Sequence, residues 1–339
     1  LMMFYRAPGE LESELAEMDD CMPHYYKITG NHGQGAEKIM RAEAAYMQGN
    51  FTDAYITLES AYAQIDGNGQ QNMALCCDFL LWRLSLYASV QRRYTFEERY
   101  AALLQFHDAS WMNIWSATCA YYHAVQGDTE KIPETFSRHQ LAGINMLAPG
   151  RPMMEMIENQ VYLAQGNYAK VIAFSENLLA VCEGMHYALV ALHIRIQAAV
   201  AYERLGKTEA HAMLSRALSD AGPDGFVMPF VENYEGIRTI LEREIRTGLI
   251  TKIIELGEAA KQRRAENSRP AVFDALTKRE FEIVELMAKR MSNREIAGKL
   301  FLSEGSVKQY INQIYSKLHI EGDTRTKRSQ LIELFLPKP

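Results

Sequence analysis

Small and aromatic residues recur through the first two-thirds of the chain, each time shortly before a glycine. Successive glycines lie 78, 39 and 40 residues apart, so a repeat of 39 or 40 residues accounts for them, with one unmarked unit near Arg92. The glycines are Gly49, Gly127, Gly166 and Gly206. A small or β-branched residue follows each glycine by four or five positions; these residues are Ala54, Ile132, Val171 and Ala210.

This periodicity predicts helical hairpins. Glycine ends a first helix because it adopts a left-handed backbone without a Cβ clash. Small residues let the two helices of a hairpin approach closely, and one hairpin cannot bury its apolar face alone, so neighbouring hairpins stack into a curved solenoid. The turn and its period resemble tetratricopeptide-like repeats with longer units. A helical bundle with coincidental spacing is the alternative, and alternating strand patterns are nearly absent.

The helical pattern gives way to a polar segment near Ser268-Arg269-Pro270. Proline disfavours helix at the residue that precedes it, so we place a domain boundary here. We predict a helical-repeat sensor or interaction domain over residues 1–265, a linker over 266–274 and a second domain over 275–339.

Three helix starts follow the boundary. Thr277 and Glu280 form one predicted capping box, and Ser292 and Glu295 form a second. Ser303 provides a third N-cap without the glutamate. These starts predict helices of about 13, 8 and 15 residues, and a short helix, a tight turn and a longer helix make a helix-turn-helix.

The third of these helices has two distinct faces. Its predicted buried stripe is Val307, Ile311, Ile314 and Leu318. The opposite face holds Gly305, Lys308, Gln309, Asn312 and Ser316. The chain has no acidic residue between Gly305 and Ile320. Since Gln and Asn can pair bidentately with adenine, this face is suited to a major groove. The alternative is an ordinary solvated surface, which normally mixes Glu and Lys.

Separated motifs in this region closely resemble the LuxR-type helix-turn-helix. They are Leu276-Thr-x-Arg-Glu280, Ser292-Asn-Arg-Glu-Ile-Ala297, Leu302-Ser303, Val307-Lys308 and Lys317-Leu318. The resemblance completes the predicted fold: all-α, with a tetratricopeptide-like solenoid followed by a small four-helix LuxR-type domain. Arg290 is a departure, because the family usually has Gly at the end of this first helix.

The resemblance also implies residue roles. Lys308 would contact the DNA backbone, and Gln309 and Asn312 would face bases. Thr277 and Ser303 would support phosphate contacts at helix starts, where the helix dipole favours anions. The whole set of candidate DNA-binding residues is Thr277, Ser292, Asn293, Arg294, Ser303, Gly305, Ser306, Lys308, Gln309, Asn312, Ser316 and Lys317.

The fourth helix pairs two such modules on DNA in that family. Leu331, Leu334 and Phe335 would supply its apolar stripe in a homodimer. The same residues could instead pack on the core of their own module.

The order of parts resembles the C-terminal portion of large MalT-like regulators, which carry a nucleotide-binding domain before the repeats. No GxxxxGK[ST] motif occurs here, and the glycine-rich segment Gly30–Gly35 lacks the lysine and hydroxyl that a phosphate loop needs. Because the chain begins at Leu1, we expect that a preceding nucleotide-binding part has been removed.

Composition narrows the functional class. No run of 18 apolar residues predicts a membrane span, and hydrophobic residues at 48% with charged residues at 23% are typical of globular proteins. Residues 275–339 hold 12 Lys or Arg against 8 Asp or Glu, a net charge of +4, whereas the rest of the chain carries −10. This asymmetry places any nucleic-acid contact at the C-terminal end.

Five cysteines without CxxC spacing indicate free thiols in a reducing cytoplasm. They are Cys21, Cys76, Cys77, Cys119 and Cys182. The histidines form no cluster at metal-ligand spacing, and we find no catalytic constellation, so we predict neither an enzyme nor a metal or cofactor site.

The sequence therefore predicts a cytoplasmic bacterial transcription regulator. Its partners would be double-stranded DNA at the C-terminal domain and a small-molecule or protein inducer at the repeat domain, without a membrane. The alternative is a helical-repeat interaction scaffold whose helix-turn-helix is degenerate.

Overall fold

The protein is described here from a computed structural model. The residues that the structure describes are 4–66, 70–105, 109–141, 144, 148–267, 271–273 and 275–335. The chain divides into two compact units, Leu1–Lys261 and Gln262–Pro339. Within the described ranges the regular structure is helical without strands, so the all-α prediction is confirmed.

The first unit is built from helices joined by short turns. Its first seven helices are α1 (Leu11–Thr29), α2 (Ala36–Met47), α3 (Phe51–Asp66), α4 (Gln71–Tyr87), α5 (Phe96–Leu104), α6 (Ala109–Gln126) and α7 (Glu134–Ser137). The next seven are α8 (Arg151–Ala164), α9 (Tyr168–Met185), α10 (Ala188–Arg204), α11 (Glu209–Ala221), α12 (Met228–Glu232), α13 (Tyr234–Leu241) and α14 (Gly248–Asn267). The division between the two units falls within α14.

The four repeat glycines all have the left-handed backbone that the sequence predicts. Their φ angles are 75°, 78°, 75° and 65° in chain order. The amide after each glycine bonds back to a carbonyl five residues earlier, as Asn50 does to Ala45 and Asn167 does to Tyr162, both at 2.8 Å. This bond satisfies a carbonyl at the end of the first helix of each hairpin.

Regular hairpins follow three of these glycines but not the fourth. Gly49, Gly166 and Gly206 join α2 to α3, α8 to α9 and α10 to α11. After Gly127 the chain forms only a 3₁₀ turn and the four-residue α7. Pro133 explains the difference, because Ile132 before it takes an extended backbone with ψ 127°.

The unmarked unit near Arg92 also departs from the glycine pattern. Residues 88–95 connect α4 to α5 there, and Thr95 begins α5 with a capping box that Glu98 completes. A side-chain cap thus starts the second helix of a unit that has no glycine turn.

The ends of the first unit meet. Helices α2, α4, α6, α8, α10 and α12 contact one another in that order, and α12 contacts α2 again. The Val227 amide donates to the Met47 carbonyl at 2.8 Å, and Lys252 bonds to Asn50 at 3.3 Å. Repeats of an open solenoid contact only their neighbours. Because α12 also contacts α2, the inner helices of this unit close into a ring, and the solenoid of tetratricopeptide-like repeats stays a prediction.

A buried cluster of polar side chains stabilises this ring. The Glu232 carboxylate of α12 accepts from the Tyr46 hydroxyl at 2.7 Å, the Tyr121 hydroxyl at 2.5 Å and the Arg83 guanidinium at 2.8 Å. Burial by itself raises the pKa of Glu232, but Arg83, with His193, outweighs burial and holds that pKa below its ordinary value. An ionised carboxylate therefore links α2, α4, α6 and α12.

In the described residues of the second unit, four further helices follow the end of α14: α15 (Lys278–Ala288), α16 (Asn293–Leu300), α17 (Glu304–Lys317) and α18 (Thr324–Phe335). Its core includes Phe273, Ile283, Val284, Met287, Ile296, Val307, Ile311, Ile314 and Leu331. The first three helices have 11, 8 and 14 residues, close to the lengths expected from the sequence. None of the helices described in either unit is long and apolar enough to cross a membrane.

Candidate nucleic-acid interface

The structure contains the three helix starts that the sequence predicts. Thr277 Oγ1 accepts from the Glu280 amide at 3.3 Å, and the Glu280 carboxylate accepts from the Thr277 amide at 2.7 Å. Ser292 and Glu295 exchange the same pair of bonds at the start of α16, with the same lengths. Ser303 caps α17 by accepting from the Ser306 amide at 3.0 Å.

A tight turn joins α16 to α17. Phe301 takes a left-handed backbone with φ 54°, and the Leu302 amide bonds back to the Ala297 carbonyl at 2.9 Å. Arg279 of α15 donates to the Leu300 carbonyl at 2.7 Å, which satisfies an acceptor at the end of α16. The turn that orients α17 is therefore fixed by backbone bonds and by one arginine.

Helix α17 buries one face and exposes the other. Val307 and Ile314 are fully buried and Ile311 nearly so, while Leu318 is half-buried. The exposed residues of the opposite face are Gly305, Lys308, Gln309, Asn312 and Ser316. Gln313 is also exposed, and the sequence reasoning missed it although its spacing of four residues places it beside Gln309.

Lys308 is the cation near the start of this face. Its ammonium lies 3.3 Å from the Glu304 carboxylate, and the two side chains are 63% and 50% exposed. An exposed pair at this spacing is worth roughly 0.3–0.5 kcal/mol, so a phosphate can take the place of Glu304 at small cost.

The other candidate residues occupy two ends of the motif. Ser303 and Ser306 share a 2.8 Å hydroxyl bond at the beginning of α17, and Arg294 is exposed on α16. Thr277 is exposed at the start of α15, where its capping partner Glu280 meets the C-terminal end of α17. Since α17 is about 20 Å long at 1.5 Å per residue, Thr277 does not share one cluster with Ser303.

Comparison with known proteins identifies the same region. Residues 274–328 match the family described as Bacterial regulatory proteins, luxR family. Residues 274–328 are a LuxR-family helix-turn-helix domain.

The chain is also similar to curated relatives of this class. It is 31% identical over 110 residues to Response regulator protein VraR of Staphylococcus aureus strain Mu3, covering 32% of this chain and 50% of the relative. The same values hold for VraR of strains NCTC 8325 and COL. The chain thus spans about half the length of the curated relatives it matches.

One candidate cation of the LuxR-family domain has an internal partner. Lys317 donates to the Glu280 carboxylate at 2.7 Å, and the Glu280 side chain is 3% exposed. Burial alone raises the pKa of Glu280, but the bonds from Lys317 and Thr277 hold that pKa below its ordinary value. Lys317 therefore ties α17 to α15, and its predicted contact with DNA stays a prediction.

Arg328 of α18 is a structural residue that the sequence reasoning missed. It donates to the Asn293 side chain at 3.2 Å and also to the Met291 carbonyl. Asn293, a candidate DNA contact, is consequently half-buried and engaged within the LuxR-family domain. No local motif signals this pairing, because its members lie 35 residues apart.

The packing of α18 differs from the surface expected to pair two modules. Leu331 is fully buried in the core of its own domain, and the Phe335 ring lies 6.0 Å from both Phe273 and Phe281. The alternative of packing within the module is therefore the arrangement observed for these two residues. Leu334 is 39% exposed, so a homodimer through α18 stays a prediction that now depends on Leu334.

Arg290, at the position where the family usually has Gly, adopts the backbone conformation that glycine favours. Arg290 takes the left-handed backbone at φ 60°, and the Met291 amide bonds to the Leu286 carbonyl at 3.2 Å. The turn after α15 therefore keeps the glycine conformation with an arginine in its place, at some cost in backbone strain.

Proposed function

We propose that this chain is a sequence-specific DNA-binding transcriptional regulator that reads the major groove with α17. The observation that carries the proposal is the exposed face of α17 that follows Glu304, which has no acidic residue and lies opposite the buried stripe of Val307, Ile311 and Ile314. The LuxR-family match over residues 274–328 and the response-regulator names of the Staphylococcus relatives support it.

The chemistry of this face suits duplex DNA. Gln309 and Asn312 are exposed amides, and an amide can donate and accept at the N6 and N7 edge of adenine in one bidentate pair. Lys308 and the exposed N-caps would fix the register on the phosphates, which position the protein without reading sequence. The net charge of +4 over residues 275–339 favours this contact electrostatically.

We further propose that the repeat domain of residues 1–265 receives the signal, as a small ligand or a protein, and that residues 266–274 are a linker. Its two ends are the last turn of α14, which runs to Asn267, and Phe273, which is buried in the core of the second unit. The closed arrangement of α2 to α12 and the cavity that α2, α4, α6 and α8 help to line support a receiving role. The MalT-like order of parts is consistent with this division, and we place the regulator in the bacterial cytoplasm.

The test is binding of the full chain to duplexes selected from a random library, followed by fluorescence anisotropy across a salt series. We expect the selected duplex to bind at least about 10³-fold more tightly than random duplex, with affinity for both falling steeply as salt rises. A degenerate helix-turn-helix in an interaction scaffold would enrich no sequence.

A pair of double variants locates the reading surface. Gln309→Ala/Asn312→Ala should abolish the preference for the selected duplex while leaving affinity for random duplex nearly unchanged. Gln105→Ala/Asn177→Ala removes two exposed amides of the first unit and serves as the matched control. Equal behaviour of the two double variants would refute the assignment of α17.

A further inference from the structure

The first unit contains a cavity of about 670 Å³ whose lining includes residues of α1, α2, α4, α6 and α8 and none of the described residues of α10 or α12. Much of its wall comes from the N-terminal halves of α2, α4 and α8, for example Ile39, Met73 and Met153. The polar cluster around Glu232 involves the C-terminal halves, through Tyr46 and other residues. Arg83 is the member of the polar cluster that lines this cavity, so we call the cavity a cup with Arg83 at its floor.

The cup has walls of flexible apolar side chains. Six of its methionines, contributed by α1, α2, α4, α8 and α9, are Met18, Met40, Met73, Met153, Met154 and Met185. Methionine is unbranched and polarizable, so such walls adapt to the shape of an apolar guest. Phe79, Leu80 and Ile157 add apolar surface between the methionines.

Charged side chains that line the cup have charged partners within the first unit. Arg6 pairs with Glu14 and Glu17, each at 2.5 Å, on the side formed by α1. At the floor Arg83 donates to Glu232 at 2.8 Å and lies 3.8 Å from Glu43, while its guanidinium stacks 5.1 Å from the centre of the Phe79 ring. A hydroxyl-rich guest would have to compete with these pairs for each hydrogen bond.

We propose that this cup binds a small, predominantly apolar molecule, and that this molecule is the signal received by the repeat domain. The inference rests on the proposed function for its regulatory meaning. The volume lies in the roughly 300–1,000 Å³ range of small-molecule sites, which are mostly apolar with few polar groups. A carbohydrate does not fit this lining, because its hydroxyls would lose water without gaining partners.

Occupation of the cup would favour the closed ring. A guest between α1, α2, α4, α6 and α8 contacts residues from most of the ring at once, together with Arg83 at the floor. Arg83 is bonded to Glu232 on α12, the helix that closes the ring against α2. A guest that packs on Arg83 therefore stabilises the closure that Glu232 makes.

The experiment uses the full chain and the neutral probe N-phenyl-1-naphthylamine, whose fluorescence rises in apolar surroundings. We expect saturable binding and a rise in the melting temperature of the first unit, with no such rise from sucrose at the same micromolar concentration. Filling the cup with Ile39→Trp or, separately, Met153→Trp should weaken probe binding by about tenfold or more, which is ~1.4 kcal/mol.

The matched control is Ile56→Trp, which adds the same side chain at a position that is 62% exposed on α3. It should bind the probe like the parent. Any of three results would overturn the proposal. In the first the parent shows no saturable probe binding, in the second both filled variants bind the probe as the parent does, and in the third sucrose rather than the probe raises the melting temperature. DNA binding is measured on the same samples, so a chain that binds DNA but not the probe refutes the cup alone.

Discussion

Arg83 and Glu232 are 149 residues apart in sequence, yet their side chains form a 2.8 Å ion pair in which both are almost completely buried. The pair joins α4 to α12 and is surrounded by the aromatic rings of Tyr46 and Tyr121. Because desolvation opposes burial of each charge, the stability of each depends on the presence of the other.

Removing one partner of this pair should destabilise the first unit strongly. Arg83→Met leaves Glu232 as an uncompensated buried charge, and we expect a loss of about 3–5 kcal/mol in the free energy of unfolding. All three tryptophans, Trp82, Trp111 and Trp115, lie in the first unit, so tryptophan fluorescence during urea unfolding reports on it selectively. The double variant Arg83→Met/Glu232→Leu should recover part of the loss, and a single variant as stable as the parent would contradict this account.

Lys308→Ala should weaken binding to every duplex by a similar factor. The exposed ammonium of Lys308 would neutralise one phosphate, so its loss should reduce the slope of log affinity against log salt by about 0.9. Lys207→Ala, an exposed lysine of the first unit, is the matched control and should leave the slope unchanged. An unchanged slope in both variants would remove Lys308 from the interface.

Asn312→Ala should relax the preference for one base rather than reduce affinity uniformly. Loss of a bidentate pair with adenine costs about 1–3 kcal/mol on the preferred duplex and little on a duplex changed at that base. Competition binding with duplexes substituted one position at a time measures this, with Asn177→Ala of the first unit as the control. A uniform loss across all duplexes would instead indicate a backbone contact.

Substituting two glycines that share one backbone conformation distinguishes the cost of backbone strain from the cost of side-chain crowding. Gly49 and Gly166 both have φ 75°, but a Cβ at Gly49 would lie 2.8 Å from Leu256 Cδ1 and 2.9 Å from Val227 Cγ2, whereas a Cβ at Gly166 meets nothing within 4 Å. Gly166→Ala should cost about 1–2 kcal/mol from backbone strain alone. Gly49→Ala should cost a further ~1–3 kcal/mol from crowding at the ring closure. Equal losses of unfolding free energy in the two variants would show that Leu256 and Val227 move aside without cost.

The Lys317–Glu280 pair should make the stability of the second unit depend on pH. The folded pKa of Glu280 is lowered, so its contribution is present above the unfolded pKa of about 4.3 and is lost as pH falls through the folded value. Lys317→Met should therefore reduce hydrogen-exchange protection of α15 and α17 at pH 7, and the difference from the parent should shrink below about pH 4.

Lys299→Met is the control for this measurement, since Lys299 is an exposed lysine of α16. It should leave protection unchanged at both pH values. A Lys317→Met deficit that persists undiminished at the lower pH would show that the ammonium acts without the Glu280 carboxylate.

Features governed by neighbouring residues could be predicted from the sequence. The capping boxes at Thr277 and Ser292 and the left-handed turn at Gly166 each involve bonds spanning only three to five residues, so local side-chain chemistry determines them. The buried stripe of α17 follows from its 3.6-residue period.

Features governed by distant residues could not be predicted in this way. Arg328 finds Asn293, and Lys317 finds Glu280, only after the helices have packed. The contact of α12 with α2 depends on the accumulated curvature of several hairpins, which no single turn encodes. The short α7 was not predicted, because Gly127 indicates a regular helical hairpin, whereas Pro133 after it prevents a long second helix.

Closure of the inner helices also constrains how this domain can be made and how it can change. The hydrogen bond from Val227 to Met47 forms only after the ribosome has released a segment 180 residues downstream of its partner, so earlier helices emerge with one flank uncovered. An extended array tolerates gain or loss of a unit in its middle, but here such an event would misalign Glu232 with every helix that it joins. Evolution of this domain is therefore expected to proceed by exchange of side chains within a fixed number of units.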